Sequence, residues 1–266
     1  MKHRKTILIF TTTEDRSAPL FTTRNIAKDF DVTVCLYKEG LSKIASVVKY
    51  KPDILYMRDP FTEKPAVKDL NKKLLFILSK TRHVHIIDNL HRLDNIYFED
   101  KWLQYKVYKQ FMPKTSLLRT SRPDFEKYFV KNRISSRAKG IVLSGTIPKS
   151  QQKDYILQQR IPIAREYRVY VLFGKIIPVA TEKSPKIETG KVKVLRTVKI
   201  SPAVKNFAKR VIKDLQFDLV GLDIIETSQK KLYLLEVNRS PQWAALHRLA
   251  GINLAEELFR QKITMK

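Results

Sequence analysis

The chain has 266 residues but only seven glycines, one cysteine, and half as many acidic as basic side chains. Each shortage excludes something. With Cys35 as the single cysteine no disulfide framework can form, so the cytoplasm is the expected compartment, and Cys35, inside an apolar run, reads as a buried structural residue. No Gly-rich fingerprint follows the first apolar run, which ends at Phe10, so a Rossmann dinucleotide site is not expected. No apolar stretch reaches the roughly 20 residues a membrane helix needs. The basic start, Met1 to Lys5, precedes an apolar run too short for a signal peptide, and Thr11-Thr12-Thr13-Glu14-Asp15 follows with no cleavage site. Zinc-finger spacing, an RNA-recognition aromatic motif, lysine blocks and internal repeats are also missing. His83, His85 and His91 have no cysteine to join them and read as surface or loop-ordering residues, not zinc ligands.

What is present is globular: 43% hydrophobic and 10% aromatic residues, enough chain for one or two domains with a real core. Lys and Arg number 52 against 26 acids, a net charge of +26. Such a surface attracts polyanions at low salt, so an acidic macromolecular partner is one expectation and solvated lysine-rich faces the other. Nothing in the pattern sets an oligomeric state.

Residues 1 to about 95 alternate strand and helix signals, with strands expected at 6–10, 32–37, 53–57 and 84–88 and helices at 19–30, 41–51 and 65–79. That alternation predicts a mostly parallel sheet with helices on its faces. Arg58-Asp59-Pro60 follows a strand at its carboxyl end, where open sheets present ligands; Arg58 either grips a substrate carboxylate or pairs with Asp59. Further on, helices are expected at 93–111, ended by Met112-Pro113, and at 202–215, with Val204, Phe207, Ala208, Val211 and Leu215 at helical spacing. A return strand is expected at 176–180 and a closing helix at 246–259.

The most informative stretch lies near the C-terminal end. Apolar, β-branched runs at 221–226 and 232–238 flank Thr227-Ser228-Gln229-Lys230-Lys231 and predict an antiparallel hairpin. A turn centred on Ser228 and Gln229 is expected to set Asp223 opposite Glu236, and the period of two adds Asn238 to that face. Facing carboxylates repel unless a cation neutralises them, so removing one from the metal-free protein is expected to leave stability unchanged or slightly raised. Two acidic groups and an amide carbonyl are hard-oxygen ligands of the kind Mg²⁺ takes. Solvated acids on an exposed hairpin are the plainer alternative. Leu234, Leu235 and Val237 argue against it, because a core-facing hairpin rarely keeps unpaired acids.

The phrases GLDII (221–225) and LLEVNRSP (234–241) resemble the aspartate strand and the Glu-x-Asn strand of the ATP-grasp ligases, among them ribosomal-protein glutamate ligases, glutathione synthetases and tubulin-tyrosine ligases. The resemblance implies that Asp223, Glu236 and Asn238 hold Mg²⁺, or Mn²⁺, against the phosphates of ATP. Further motifs follow the family's order. EDKW (99–102), with Pro113-Lys114-Thr115 after it, is similar to the family's Asp-Lys helix and implies that Lys101 reaches the phosphates. YFVK (128–131) and NRISSRAKGI (132–141) resemble the phosphate loop, with Lys131 at its lysine, Gly140 at its last glycine and Lys139 beside it. Asn132 replaces a proline there and Ala138 a glycine, which stiffens the loop. DYILQQRI (154–161) resembles the adenine-side hinge strand and implies that Gln158, Gln159, Arg160 and Ile161 line the nucleotide, chiefly through backbone. EYRVYV (166–171) is similar to the family's D-x-R-x-Y-V strand, which implies Glu166 at the ribose hydroxyls and Arg168 at the acyl substrate or phosphate; alternation puts both on one face. Lys183, and Arg196 in the looser match VLRT (194–197), stand where relatives place cations against the γ-phosphate. Gln242 replaces a glycine common in relatives near the acceptor.

The expectation is therefore an α/β protein: a small parallel-sheet pre-ATP-grasp domain at 1–95, then a two-lobed α+β ATP-grasp domain at 96–266. The resemblance implies an ATP-dependent carboxylate–amine ligase that forms an amide or peptide bond through an acylphosphate and releases ADP and phosphate. Its carboxylate donor and amine acceptor would be an amino acid, a peptide or an acidic protein tail. No Ser-His-Asp set or nucleophilic cysteine is needed, because positioning and charge neutralisation carry such chemistry. The alternative is a degenerate ATP-grasp module that binds nucleotide or a polyanion without ligating. The glycine-poor loop and the charge favour it; the complete Asp223, Glu236 and Asn238 set disfavours it.

Overall fold

The computed structural model describes residues 4–37, 52–58, 84–87, 100–134, 140–184, 194–215 and 217–264. The helices expected at 41–51 and 65–79 lie outside these, as does the start of the one expected at 93–111. The chain divides into two compact units, one of Met1–Ile96, Gln216–Leu219 and Ser240–Lys266, the other of Tyr97–Leu215 and Val220–Arg239. Among the described residues no helix is long and apolar enough to cross a membrane.

The first unit carries a parallel sheet of order β2-β1-β3-β4, with β1 at Lys5–Thr11, β2 at Phe30–Leu36, β3 at Ile54–Met57 and β4 at His85–Ile86. Its central strands are buried on both faces, which is why β1 and β3 read as unbroken apolar runs and do not alternate. Cys35 is buried in β2. The helix expected at 19–30 is not continuous. Pro19 lies in a 3₁₀ segment, Ala18–Thr22, and a single α-turn follows at Arg24–Ala27. Thr23 between them is extended, φ −61° and ψ 154°, as suits a stiff β-branched residue. The expected closing helix is likewise two, Ala244–Ala250 and Leu254–Thr264. Gly251, at φ +70°, closes the first, and the Asn253 side chain accepts from the Ala255 N–H at 3.2 Å to open the second.

Arg58 is fully buried in this unit and its donors are committed there. Its Nε lies 2.6 Å from Asp15 Oδ2, and its guanidinium donates to Tyr56 Oη at 2.9 Å and the Pro241 carbonyl at 3.0 Å. It also stacks 4.6 Å from the Trp243 ring centroid. Burial would raise the Asp15 carboxyl, but Arg58 outweighs it and holds it below its usual range. Its ion-pair partner among the described residues is Asp15, 43 residues away; Asp59 lies outside them.

The second unit holds two sheets. The smaller, antiparallel and of order β5-β8-β6-β7, consists of β5 (Thr115–Leu117), β6 (Tyr128–Asn132), β7 (Ile141–Val142) and β8 (Tyr155–Gln159). Leu118, Val130 and Ile147 form its core. The larger runs β12-β11-β9-β13-β14, with β10 beside β9: β9 (Arg165–Leu172), β10 (Lys175–Ile176), β11 (Val179–Lys183), β12 (Val194–Lys199), β13 (Leu219–Glu226) and β14 (Leu232–Asn238). The return strand expected at 176–180 is split into β10 and β11 at Pro178, which has no N–H for a ladder. Helix α1 spans Lys101–Tyr108; helix α2, Pro202–Val211, is capped by the Ser201 side chain and buries Val204, Phe207, Ala208 and Val211. The outer edge of β14 is closed from within the unit. Leu234 N–H donates to the Phe111 carbonyl at 2.8 Å, and Gln104 of α1 both accepts from Val237 N–H at 2.9 Å and donates to Val237 O at 3.1 Å.

Candidate active site

The β13–β14 hairpin sets Asp223 against Glu236 and Gly221 against Asn238, so the facing acids arise as expected. The route differs. Near the turn, where Lys230 takes φ +62°, Glu226 pairs with Leu232 and Ile224 with Leu234; the register then slips by one residue between Asp223 and Ile224. A bulge of this kind bends a strand and re-aims its side chains. Its trace in burial is that Leu234 and Val237, three residues apart, both point into the core, leaving Glu236 and Asn238 half-buried on the other face.

Register fixes what these acids meet. Strand β11 sets Thr181 beside Arg168 and Lys183 beside Glu166 of β9. Arg168 forks onto Asp223, Nε to Oδ1 at 2.8 Å and the second nitrogen to Oδ2 at 2.7 Å. Lys183 Nζ bridges Asp223 Oδ2 at 2.8 Å and Glu166 Oε1 at 2.9 Å. Burial alone would raise the Asp223 carboxyl; Arg168 and then Lys183 overcome it and hold it well below the usual carboxylate range. Burial would likewise lower Arg168, but Asp223 pushes it above its ordinary value. The repulsion expected between Asp223 and Glu236 is thus already neutralised.

The smaller sheet and α1 bring further cations. Lys101 opens α1, whose cap is the Asp100 side chain, and its N–H donates to the Arg133 carbonyl at 2.9 Å. Its Nζ stands 3.8 Å from Glu236 Oε1. Lys131 on β6 donates to Gln158 Oε1 of β8 at 2.7 Å. Burial and the nearby Lys101 lower its pKa to about 8, against the raising pull of Glu236, Glu166 and Asp223. Lys131, Lys101 and the three acids therefore share one electrostatic field. Gly140 closes the β6–β7 connection at φ +83°, which favours glycine, and its carbonyl accepts from Asn132 N–H at 2.7 Å. Lys139 lies outside the described residues.

In the hinge segment Gln158 is buried and also reaches Thr115 Oγ1 at 3.4 Å. The N–H groups of Gln159 and Arg160 go to the Lys114 and Lys127 carbonyls, at 2.8 and 3.0 Å, and the Arg160 guanidinium stacks 4.3 Å from the Phe129 ring centroid. Ile161 lies beyond the strand, outside any helix or strand.

Arg196 is not brought to this group. It pairs in register with Glu182 and bonds Glu182 Oε2 at 2.9 Å, alongside Arg165. Glu182 alternates with Thr181 and Lys183 along β11, so this network occupies the opposite face of the sheet. Sequence reasoning also passed over Gln104, whose side chain pins the backbone between Glu236 and Asn238. A lone amide one helical turn after Lys101, on the buried side of α1, was the signal available.

The donors fit a hard divalent cation in kind. Asp223 Oδ2 already accepts two hydrogen bonds, whereas Oδ1 accepts from Arg168 Nε alone among the described residues. Glu236 has only the long Lys101 contact as an ion pair among them. No three His, Cys, Asp or Glu side chains gather as a metal cage among the described residues, so a cation here would draw further oxygens from a ligand.

This arrangement of two sheets with a polar hairpin face can be set beside known proteins. Residues 130–262, half of the chain, match the RimK-like ATP-grasp domain family. The fold resembles that of the ATP-grasp ligase PsnB, solved with a phosphomimetic variant of its minimal precursor, Mg and ADP, at TM-score 0.66 and 13% identity over 97% of both chains. It resembles macrocyclase MdnC from Microcystis aeruginosa, bound with precursor peptide MdnA, at TM-score 0.66 and 12% identity over 98% of this chain and 100% of that one. The D-cycloserine synthetase DcsG gives TM-score 0.67 and 12% identity over 97% and 99%. Among curated protein sequences none matches the chain. At such identities the structural likeness speaks for the fold; with the family match over half its length, this chain belongs to the RimK-like ATP-grasp domain family.

Proposed function

We propose that the protein is an ATP-dependent ligase that joins a carboxylate to an amine as an amide or peptide bond, releasing ADP and phosphate. The observation that carries this reading is the Asp223 cluster: a carboxylate forked by Arg168, bridged by Lys183 and paired across the hairpin with Glu236. When bound, ATP with Mg²⁺, or Mn²⁺ in its place, supplies a phosphoryl group that turns the donor carboxylate into an acylphosphate, which the amine then attacks with loss of phosphate. Asp223, Glu236 and Asn238 would hold the metal, and Lys101, Lys131 and the Gly140 turn would neutralise the phosphates. Chain from Gln158 to Ile161 would line the adenine, and Glu166 the ribose. Arg168, held on Asp223 by its fork, would add positive charge beside the reacting carboxylate, where a preorganised group is worth roughly 3–4 kcal/mol. Arg196, held by Glu182 on the other face, has no part in this scheme.

Peptide or amino-acid substrates are the reading to try first, because PsnB and MdnC were solved with precursor peptides. A screen of amino acids and acidic peptides for amine-dependent phosphate release tests the proposal. The rival, a module that binds nucleotide without ligating, draws on Asp223 being capped by two cations. Tight nucleotide binding with no phosphate release across the panel would favour it.

A further inference from the structure

We infer that Lys183 is the resident counter-ion of the Asp223 carboxylate, standing where a divalent cation would bind until a polyphosphate arrives to receive it. The inference rests on the reading above that Asp223 is a metal ligand. Lys183 Nζ lies 2.8 Å from Asp223 Oδ2 and 2.9 Å from Glu166 Oε1, and its side chain is only 7% exposed. With Arg168 also on Oδ2, both lone pairs of that oxygen are in use. A metal ion approaching this carboxylate meets two positive charges at contact distance, in a site where burial weakens the screening by water.

The two cations are not held alike. Arg168 grips Asp223 by a two-point fork, and a planar guanidinium has little freedom to leave one oxygen without the other. Lys183 makes a one-point contact on a flexible four-carbon stem, and it keeps Glu166 when it lets Asp223 go. It is also the last residue of β11, at the point where the β11–β12 register slips between Glu182 and Lys183. Lys183 is therefore the group that moves and Arg168 the group that stays. The free protein should take up divalent metal poorly, and metal and polyphosphate should load together, the displaced ammonium passing to the phosphate.

Mn²⁺ binding followed by electron paramagnetic resonance tests this without any turnover. In the absence of nucleotide, wild type should bind Mn²⁺ weakly. Lys183→Met and Lys183→Gln should each bind it tighter, on the order of tenfold or more, because a unit charge at contact distance has gone. Lys183→Arg should stay near wild type, and Asp223→Asn added to Lys183→Met should remove the gain. A non-hydrolysable ATP analogue should tighten Mn²⁺ binding to wild type itself. Folded neutral variants with no gain would overturn the inference. So would wild type binding Mn²⁺ equally well with and without the analogue, a result that needs no variant to fold. The metal reading fails separately, taking this inference with it, if analogue-supported Mn²⁺ binding is indifferent to both Asp223→Asn and Glu236→Gln.

Discussion

Asp223→Asn should destabilise the metal-free protein, against the expectation that losing one of two facing acids relieves repulsion. The substitution removes a charge that accepts three hydrogen bonds from Arg168 and Lys183 at 2.7–2.8 Å. It also turns an amide NH₂ towards donors. Breaking a buried pair from one side costs about 3–5 kcal/mol, because the partner charges stay buried and uncompensated. Lys183 retains Glu166, so the lower end applies. About 3 kcal/mol corresponds to a fall of roughly 6–12 °C in Tm for a domain of this size. Glu236→Gln is the control: its ion-pair contact is 3.8 Å and its side chain is 28% exposed, so its effect should stay within about 1 kcal/mol. Thermal unfolding of both variants at neutral pH with chelator present measures the difference. An Asp223→Asn protein as stable as wild type would refute the cation-bridged description of this face.

Gln104→Met keeps the bulk but leaves the Val237 N–H and C=O unpaired in a buried position, costing about 2–4 kcal/mol. It should also weaken nucleotide-supported Mn²⁺ binding through Glu236 and Asn238, while Gln104→Glu, which still accepts from the N–H, should lose less; equal stability of all three proteins would contradict the clamp. Lys131, lowered to about 8 from 10.5, is less protonated in the fold than in the unfolded chain between those values. The unfolded state binds more protons there, so this residue's contribution to stability should rise as pH climbs through that window and be flat below it. Phosphate binding recharges the amine, so calorimetry in buffers of different ionisation heat should show proton uptake on nucleotide binding above pH 8, absent in Lys131→Arg. The +26 charge predicts that any association with a polyanionic peptide weakens steeply with salt, and an affinity constant from low to physiological salt would leave the charge to solvation.

The site was legible where local pattern decides and opaque where distant chain does. Apolar runs around Thr227–Lys231 were enough for the hairpin, and Glu166 with Arg168 was enough for a shared face on β9. The step that brings Asp223 opposite Glu236 depends on an extra residue near Leu235, and nothing in an apolar run marks which residue will bulge. Arg196 matched a family phrase, but its face depends on parity along β11 and β12, and one residue decides it. Arg58 was noticed for its neighbour Asp59, whereas burial gave it to Asp15 and to the ring of Trp243, far off in the chain. Gly251 and Thr23 were passed over inside helical patterns, although a glycine ready for positive φ and a β-branched pair are each ordinary reasons for a helix to stop. Parallel strands β1 and β3 were read correctly because burial on both faces leaves an unbroken apolar run.

The most direct test of the ligase reading follows the oxygen atoms. With an acid–amine pair found in the screen, the carboxylate is labelled with ¹⁸O and incubated with ATP, Mg²⁺ and the amine. If Asp223, Glu236, Arg168 and the lysines serve γ-phosphoryl transfer, nucleotide chromatography shows ADP and no AMP, and one ¹⁸O per turnover appears in the released phosphate. Stoichiometric AMP with pyrophosphate, or phosphate free of the label, would contradict the acylphosphate route.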